Sequence, residues 1–114
     1  MPYLTIRTNQ TFTEQMGRQL LHKASALVAK EFGKSENYVM VSLEPPALML
    51  FGGKDTPVAY LELKSIGLPK HRTAELSDAL CTLLETEIDI ARERIYIEFS
   101  DAERQLWGWN GSTF

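Results

Sequence analysis

Tyr38-Val39-Met40-Val41-Ser42-Leu43 and Arg94-Ile95-Tyr96-Ile97-Glu98-Phe99 are two versions of one segment. Each is rich in β-branched and aromatic residues and alternates along its length, so each reads as a strand. Val39, Val41 and Leu43 share one face of the first, and Ile95, Ile97 and Phe99 share one face of the second. Upstream of each lies a helical pattern. Met16, Leu20, Ala24, Leu27, Val28 and Phe32 form one apolar stripe, and Leu76, Ala79, Leu80, Leu83 and Leu84 form the other after Pro69. Thr11-Phe12-Thr13-Glu14 has the spacing of a capping box, and Gly33 suits the left-handed residue just past a helix end. Further upstream again stands a strand in each case. Leu4 and Ile6 alternate with Thr5 and Arg7, and Val58 to Lys64 puts Ala59, Leu61 and Leu63 on one side. Tyr38 and Tyr96 hold matching places in the two units, as do Lys34 and Arg92. The chain is therefore expected to be α+β, a duplicated βαβ whose four-stranded mixed sheet carries two helices on one face. Each unit is about 45 residues long, with a right-handed crossover joining parallel strands.

Bulk properties bound the function without choosing it. A chain of 114 residues fits one domain spanning 1–114. Its 44% hydrophobic and 24% charged residues are ordinary for a globular protein, and a net charge of −3 gives no reason to expect nucleic acid or an anionic membrane as partner. The single cysteine, Cys81, rules out an internal disulfide or a CxxC redox pair. With Cys81 and two distant histidines, His22 and His71, neither a metal nor any other cofactor is expected. No apolar run approaches the roughly 20 residues of a membrane span, and no cleavable leader is visible, so the cytoplasm is the expected location.

The chain start offers chemistry. Pro2 is small enough for Met1 to be trimmed, which would leave a secondary amine. An α-amino group titrates near about 7.7–8.0, and burial in an apolar pocket lowers that value. A neutral amine is a usable proton acceptor. The plainer reading is an ordinary Met-Pro start on an edge strand, where proline is tolerated. Two stretches are too apolar for free loops, Leu48-Met49-Leu50-Phe51-Gly52-Gly53 and Leu106-Trp107-Gly108-Trp109-Asn110. The open sheet face also carries Tyr3, Tyr38, Met40, Tyr60 and Tyr96, more aromatic surface than a monomer usually exposes. Either loops fold back over that face or copies of the chain bury it against one another; a homo-oligomer is expected.

Certain pieces together resemble the macrophage migration inhibitory factor family of the tautomerase superfamily. They are Met1-Pro2, Gly33-Lys34, Leu48 to Gly53, Ser65-Ile66-Gly67, Arg94-Ile95-Tyr96-Ile97 and Gly108-Trp109-Asn110-Gly111-Ser112-Thr113-Phe114, spread from end to end. The resemblance implies a homotrimer with active sites at subunit interfaces. It also implies tautomerisation of phenylpyruvate or hydroxyphenylpyruvate, with possible dopachrome isomerisation. Pro2 becomes the general base, and Lys34 meets the substrate's carboxylate or carbonyl oxygen, where negative charge develops. Ile66 offers backbone contacts with Ser65 and Lys64 nearby, and Tyr96 of a neighbouring subunit walls the pocket with Tyr38, Trp109 and Phe114. Three departures stand out. Val58-Ala59-Tyr60-Leu61 occupies the place of the vertebrate CxxC, so thiol chemistry is not expected, and Cys81 reads as inert core. Glu98 stands where the vertebrate factor has Asn, and Trp107 replaces a small rim residue. A cytokine-like receptor-binding protein with a vestigial pocket is the alternative, and leaderless secretion stays compatible with it.

Overall fold

The structure is a computed structural model that describes residues 1–114. Four strands form the main sheet: β1 (Tyr3–Thr8), β2 (Met40–Leu43), β3 (Ala59–Ile66) and β4 (Ile95–Ala102). Their spatial order is β2-β1-β3-β4. β1 runs parallel to β2 and β3 parallel to β4, whereas β1 and β3 meet antiparallel with Ile6 opposite Leu61. The two βαβ units thus lie back to back in a mixed sheet, as the repeat implies. Helices α1 (Glu14–Phe32) and α2 (Thr73–Ile88) supply the connections.

The core lies between the helices and one sheet face. Leu4 and Ile6 of β1 and Leu61 and Leu63 of β3 meet Leu20, Ala24 and Val28 of α1 and Leu80 and Leu84 of α2, all fully or almost fully buried. Burying one such leucine stabilises by roughly 1.5–3 kcal/mol, so the alternation in the strands and the helical stripes select this packing together. Cys81 belongs to the same core, and burial pushes its thiol up. Arg72 links the helices, its guanidinium donating to the Glu31 carboxylate at 2.8 Å and to the Glu31 carbonyl. No helix is long and apolar enough to cross a membrane.

Three local expectations change. The cap of α1 is Thr13, whose hydroxyl accepts the Met16 N–H at 3.1 Å, so the helix begins two residues beyond the Thr11 capping box. Phe12 explains the shift: it lies against Gly17, where an added Cβ would come within 3.2 Å of its ring. The ring of the residue before the cap thus packs over the first turn, in the place of a hydrophobic staple, with glycine leaving it room. β2 also starts later than expected, because Glu36–Tyr38 form a 3-10 turn capped by the Ser35 hydroxyl. The matching turn, Arg92–Arg94, precedes β4. Tyr38 therefore closes a turn and Tyr96 lies within a strand, so the two tyrosines do not hold equivalent places, and by the same register neither do Lys34 and Arg92, which matches Glu36. Finally, Leu48 and Leu50 stay exposed, as do Met40 and Tyr96, so the loops of one chain do not cover the open face.

At the C-terminus, β5 (Gly108–Trp109) and β6 (Ser112–Thr113) form a small hairpin. Asn110 and Gly111 take positive φ values of 52° and 78°, the left-handed pair that a two-residue turn of this twist requires. The Phe114 N–H then returns to the Trp107 carbonyl at 3.1 Å.

Candidate active site

Backbone pairing fixes the chain start from two sides. The Met40 N–H donates to the Pro2 carbonyl at 3.0 Å, tying it to β2. On the other side Tyr3 stands opposite Lys64, and continuing that register brings Pro2 beside Ser65 and Met1 beside Ile66. Pro2 is fully buried. Gly33, at φ 61°, turns the chain out of α1, and Lys34 follows with its N–H on the Ala29 carbonyl. The terminal amine, that of Met1, is held below its ordinary value, first by burial and then by the charge of Lys34. Lys34 takes part in none of the ion pairs, so that charge is not neutralised locally.

A cavity of about 390 Å³ opens over Pro2, walled by Tyr38, Trp107, Trp109 and Phe114. Its size is that of a pocket for a small organic ligand. The Trp109 and Phe114 rings stack with centroids 5.4 Å apart and planes 16° apart. Tyr38 meets both edge-on, at 5.6 Å from Trp109 and 6.2 Å from Phe114. The hairpin turn at Asn110-Gly111 makes this box possible, since it sends Phe114 back alongside Trp109. What results is an apolar slot for a flat ring, with an amine at its floor and an ammonium nearby. Such a site can move a proton to and from carbon next to a carbonyl while a cation steadies the developing enolate.

The other expected residues are placed differently. Ser65 is buried, and its hydroxyl donates to the Ile66 carbonyl at 3.0 Å, so its side chain belongs to the helix side of the sheet. Lys64 lies on the open face, 3.6 Å from Glu62. Tyr96 and Glu98 sit on β4, two strands from Pro2, outside the cavity of their own chain. Glu98 accepts a 2.6 Å hydrogen bond from the Tyr60 hydroxyl, which pushes the Tyr60 phenol up to about 12. Tyr3, noted in the sequence only as an aromatic of the open face, and Asn37 also join the lining. Tyr3 follows Pro2 directly and alternates onto the open face, which was signal enough. Its phenol lies 2.9 Å from the Ser42 hydroxyl, and that contact, helped by Thr5, holds it below its ordinary value. Asn37 carried no such signal.

A back-to-back pair of βαβ units with a buried chain start opening into an aromatic slot defines a tautomerase-fold protein. Comparison with known proteins narrows this. The family profile described as macrophage migration inhibitory factor (MIF) matches residues 1–114. The macrophage migration inhibitory factor homolog of Brugia malayi is 42% identical over 116 residues, covering 100% of this chain and 99% of the relative. Among solved structures, the homologue from Prochlorococcus marinus superposes with a TM-score of 0.92 at 41% identity, over 98% of both chains. The MIF-like protein of Entamoeba histolytica gives 0.93 at 29% identity, over 99% of this chain and 98% of that one. The chain belongs to the macrophage migration inhibitory factor family, within the tautomerase superfamily.

Proposed function

We propose that residues 1–114 form one tautomerase domain acting on aromatic 2-keto acids, phenylpyruvate and hydroxyphenylpyruvate first among them, with dopachrome-type isomerisation as a secondary capacity. Met1 is removed in the active form, and Pro2 is the general base. Its amine takes a proton from the carbon beside the carbonyl and returns it to the other tautomer. Lys34 holds the substrate's carboxylate or carbonyl oxygen, and the Ile66 backbone edges the same end. The acid's ring lies in the slot of Tyr38, Trp109 and Phe114, with Trp107 at the rim. One observation carries this reading: Pro2 is buried at the floor of an aromatic cavity, and Lys34 is close enough to depress the adjacent amine. A buried amine beside a like charge is neutral at lower pH than a free one, which is what a base needs.

The assembly in this reading is a homotrimer that buries the open sheet faces. Exposed Met40, Leu48, Leu50 and Tyr96 supply the apolar surface for it. β4 of one subunit then brings Tyr96 and Glu98 to the Pro2 cavity of the next, with Lys64 near the seam. The test is ketonisation of phenylpyruvate by protein whose N-terminus is verified by mass spectrometry, alongside protein carrying one extra residue before Pro2. Verified protein should turn over, and the extended form, whose amine has become an amide, should not. Normal turnover by the extended form would remove Pro2 from the mechanism. Failure of both forms on every enolisable aromatic acid would favour a receptor-binding role instead.

A further inference from the structure

Arg94, in the turn before β4, points its guanidinium into the loop that follows Leu50. Its Nη1 donates to the Phe51 carbonyl at 2.7 Å, and its Nη2 to the carbonyls of Lys54 at 3.1 Å and Thr56 at 3.2 Å. The Nε reaches the Pro57 carbonyl at 3.3 Å. A guanidinium presents five N–H donors in a rigid fork, so one side chain fixes the whole loop. The loop adds its own constraint, a tight turn in which Phe51 and Lys54 exchange backbone bonds at 3.0 and 3.2 Å. Gly52 and Gly53 take φ of 62° and 74° inside it, which side chains would resist.

The same guanidinium also lies over the Phe51 ring, with Cζ 5.0 Å from its centroid, within cation–π range. The other neighbour of that ring is Tyr96, with centroids 4.5 Å apart and planes tilted by 41°. Tyr96 is 64% exposed, and Phe51 is the only aromatic ring set against it. An exposed tyrosine normally samples several rotamers, and one held on a fixed ring samples fewer. We propose that Arg94 is a positioning residue that sets the Tyr96 ring through Phe51, and through Tyr96 the substrate affinity of the neighbouring subunit's cavity. The second half of this statement rests on the trimeric tautomerase reading, and the first half does not.

Two variants separate the links of the stack. Arg94→Lys keeps the charge but replaces the fork with a point donor that cannot span four carbonyls. Phe51→Leu keeps every backbone bond to Arg94 and removes the intervening ring. Each should raise KM for phenylpyruvate about threefold to tenfold, the worth of one aromatic contact, while kcat stays within about twofold because Pro2 and Lys34 are untouched. Assemblies mixing Arg94→Lys chains with Pro2→Gly chains should regain a population of sites with the wild-type KM. Those sites pair an intact base with an intact neighbouring Tyr96. An unchanged KM in both variants, or a KM defect that persists in mixed assemblies, would overturn the role in affinity. Fluorine NMR on fluorotyrosine-labelled protein reads the first half independently, with the Tyr96 signal assigned through Tyr96→Phe. That signal should move in both variants, and a signal that stays in place overturns the proposal whether or not the wild type turns over phenylpyruvate. If the signal moves but the wild type is inactive on every aromatic keto acid, the tautomerase reading falls and the ring-setting role of Arg94 stands.

Discussion

Replacing Trp109 with alanine should damage the site without damaging the fold. The indole makes two ring contacts, the stack on Phe114 at 5.4 Å and the edge contact with Tyr38 at 5.6 Å. Contacts of this kind contribute about 0.5–1.5 kcal/mol each beyond area burial. A substrate ring in the slot would make one more contact of this kind with the indole, and that contact is what turnover reads. Its loss, about 0.5–1.5 kcal/mol, corresponds to a fall of about threefold to tenfold in kcat/KM for phenylpyruvate, mostly through KM. Folding should notice little, because neither Trp109 nor the rings it touches belong to the buried cluster between sheet and helices. The two ring contacts it gives up lie on a half-exposed tail, so stability should fall by only about 1 kcal/mol, or roughly 4–8 °C in Tm. Leu84→Ala supplies the opposite control: Leu84 is fully buried, and truncation there should cost about 2–5 kcal/mol in stability. The assays are steady-state ketonisation and thermal unfolding on the same preparations. If Trp109→Ala leaves kcat/KM within twofold of wild type, the aromatic slot is not where the substrate ring lies. If it lowers Tm as far as Leu84→Ala does, the tail is part of the core and the separation drawn above is wrong.

Other perturbations test the charges and the rim. Burial and then Lys34 depress the Met1 amine, and once Met1 is removed the Pro2 amine should feel the same two influences, so kcat/KM should rise with pH through a lowered amine value and then level off. Lys34→Gln removes a like charge, raises the amine's value and should move that limb to higher pH; a limb that stays in place would show that Lys34 does not act on the base. Glu98→Gln should bring the Tyr60 phenol down from about 12 toward its ordinary 10, followed by phenolate absorbance. A Tyr60 titration that does not move would refute the hydrogen bond. Glu98→Asn should raise kcat/KM for hydroxyphenylpyruvate more than for phenylpyruvate, by at most about fivefold, since an exposed charge at about 4 Å is worth roughly 1 kcal/mol in water. Trp107→Val should favour dopachrome methyl ester at any pH because its effect is steric, and a gain confined to one end of the pH range would contradict that.

The sheet was legible because period-two alternation is a local signal. Leu4 and Ile6, Leu61 and Leu63, and Ile95 with Ile97 each announce a buried face. The same counting, carried two residues past Leu63, puts the Ser65 side chain with the core rather than the cavity, which is where it lies. The start of α1 was misread because Thr11 and Thr13 both offer a cap, and the choice depends on Phe12 finding room over Gly17. That is a packing fact across a turn, invisible to a spacing rule. Strand order was legible only as parallel pairs within each unit. Which edges meet depends on contacts far apart in the chain, and so does the separation of Tyr96 and Glu98 from Pro2. The clasp of Arg94 on the loop after Leu50 spans 37 to 43 residues of sequence and leaves no trace in composition or periodicity.

The duplication has a consequence for where chemistry can exist at all. The two units share strands and helices, and each has a cation near the end of its connection, yet these cations stand at different positions and are treated oppositely. Lys34 is left without an acidic partner, whereas Arg92 is gripped by Glu85 at 2.8 Å and Asp78 at 2.7 Å. The nitrogen just ahead of β1 belongs to Pro2, which on the reading proposed above becomes the terminal amine once Met1 is removed. The one just ahead of β3 belongs to Val58, a peptide N–H already donated to Asn9 at 3.1 Å. A peptide nitrogen has no basic lone pair, so no exchange of side chains can turn the second half into a second centre. What distinguishes the halves is connectivity. Met1 and Phe114 line the same cavity, so a short bridge could join them. Reopening the ring ahead of β3 would then carry the amine to the opposite end of the two central strands and silence the original one. On the reading proposed above, the position of the base would follow from where the chain is cut.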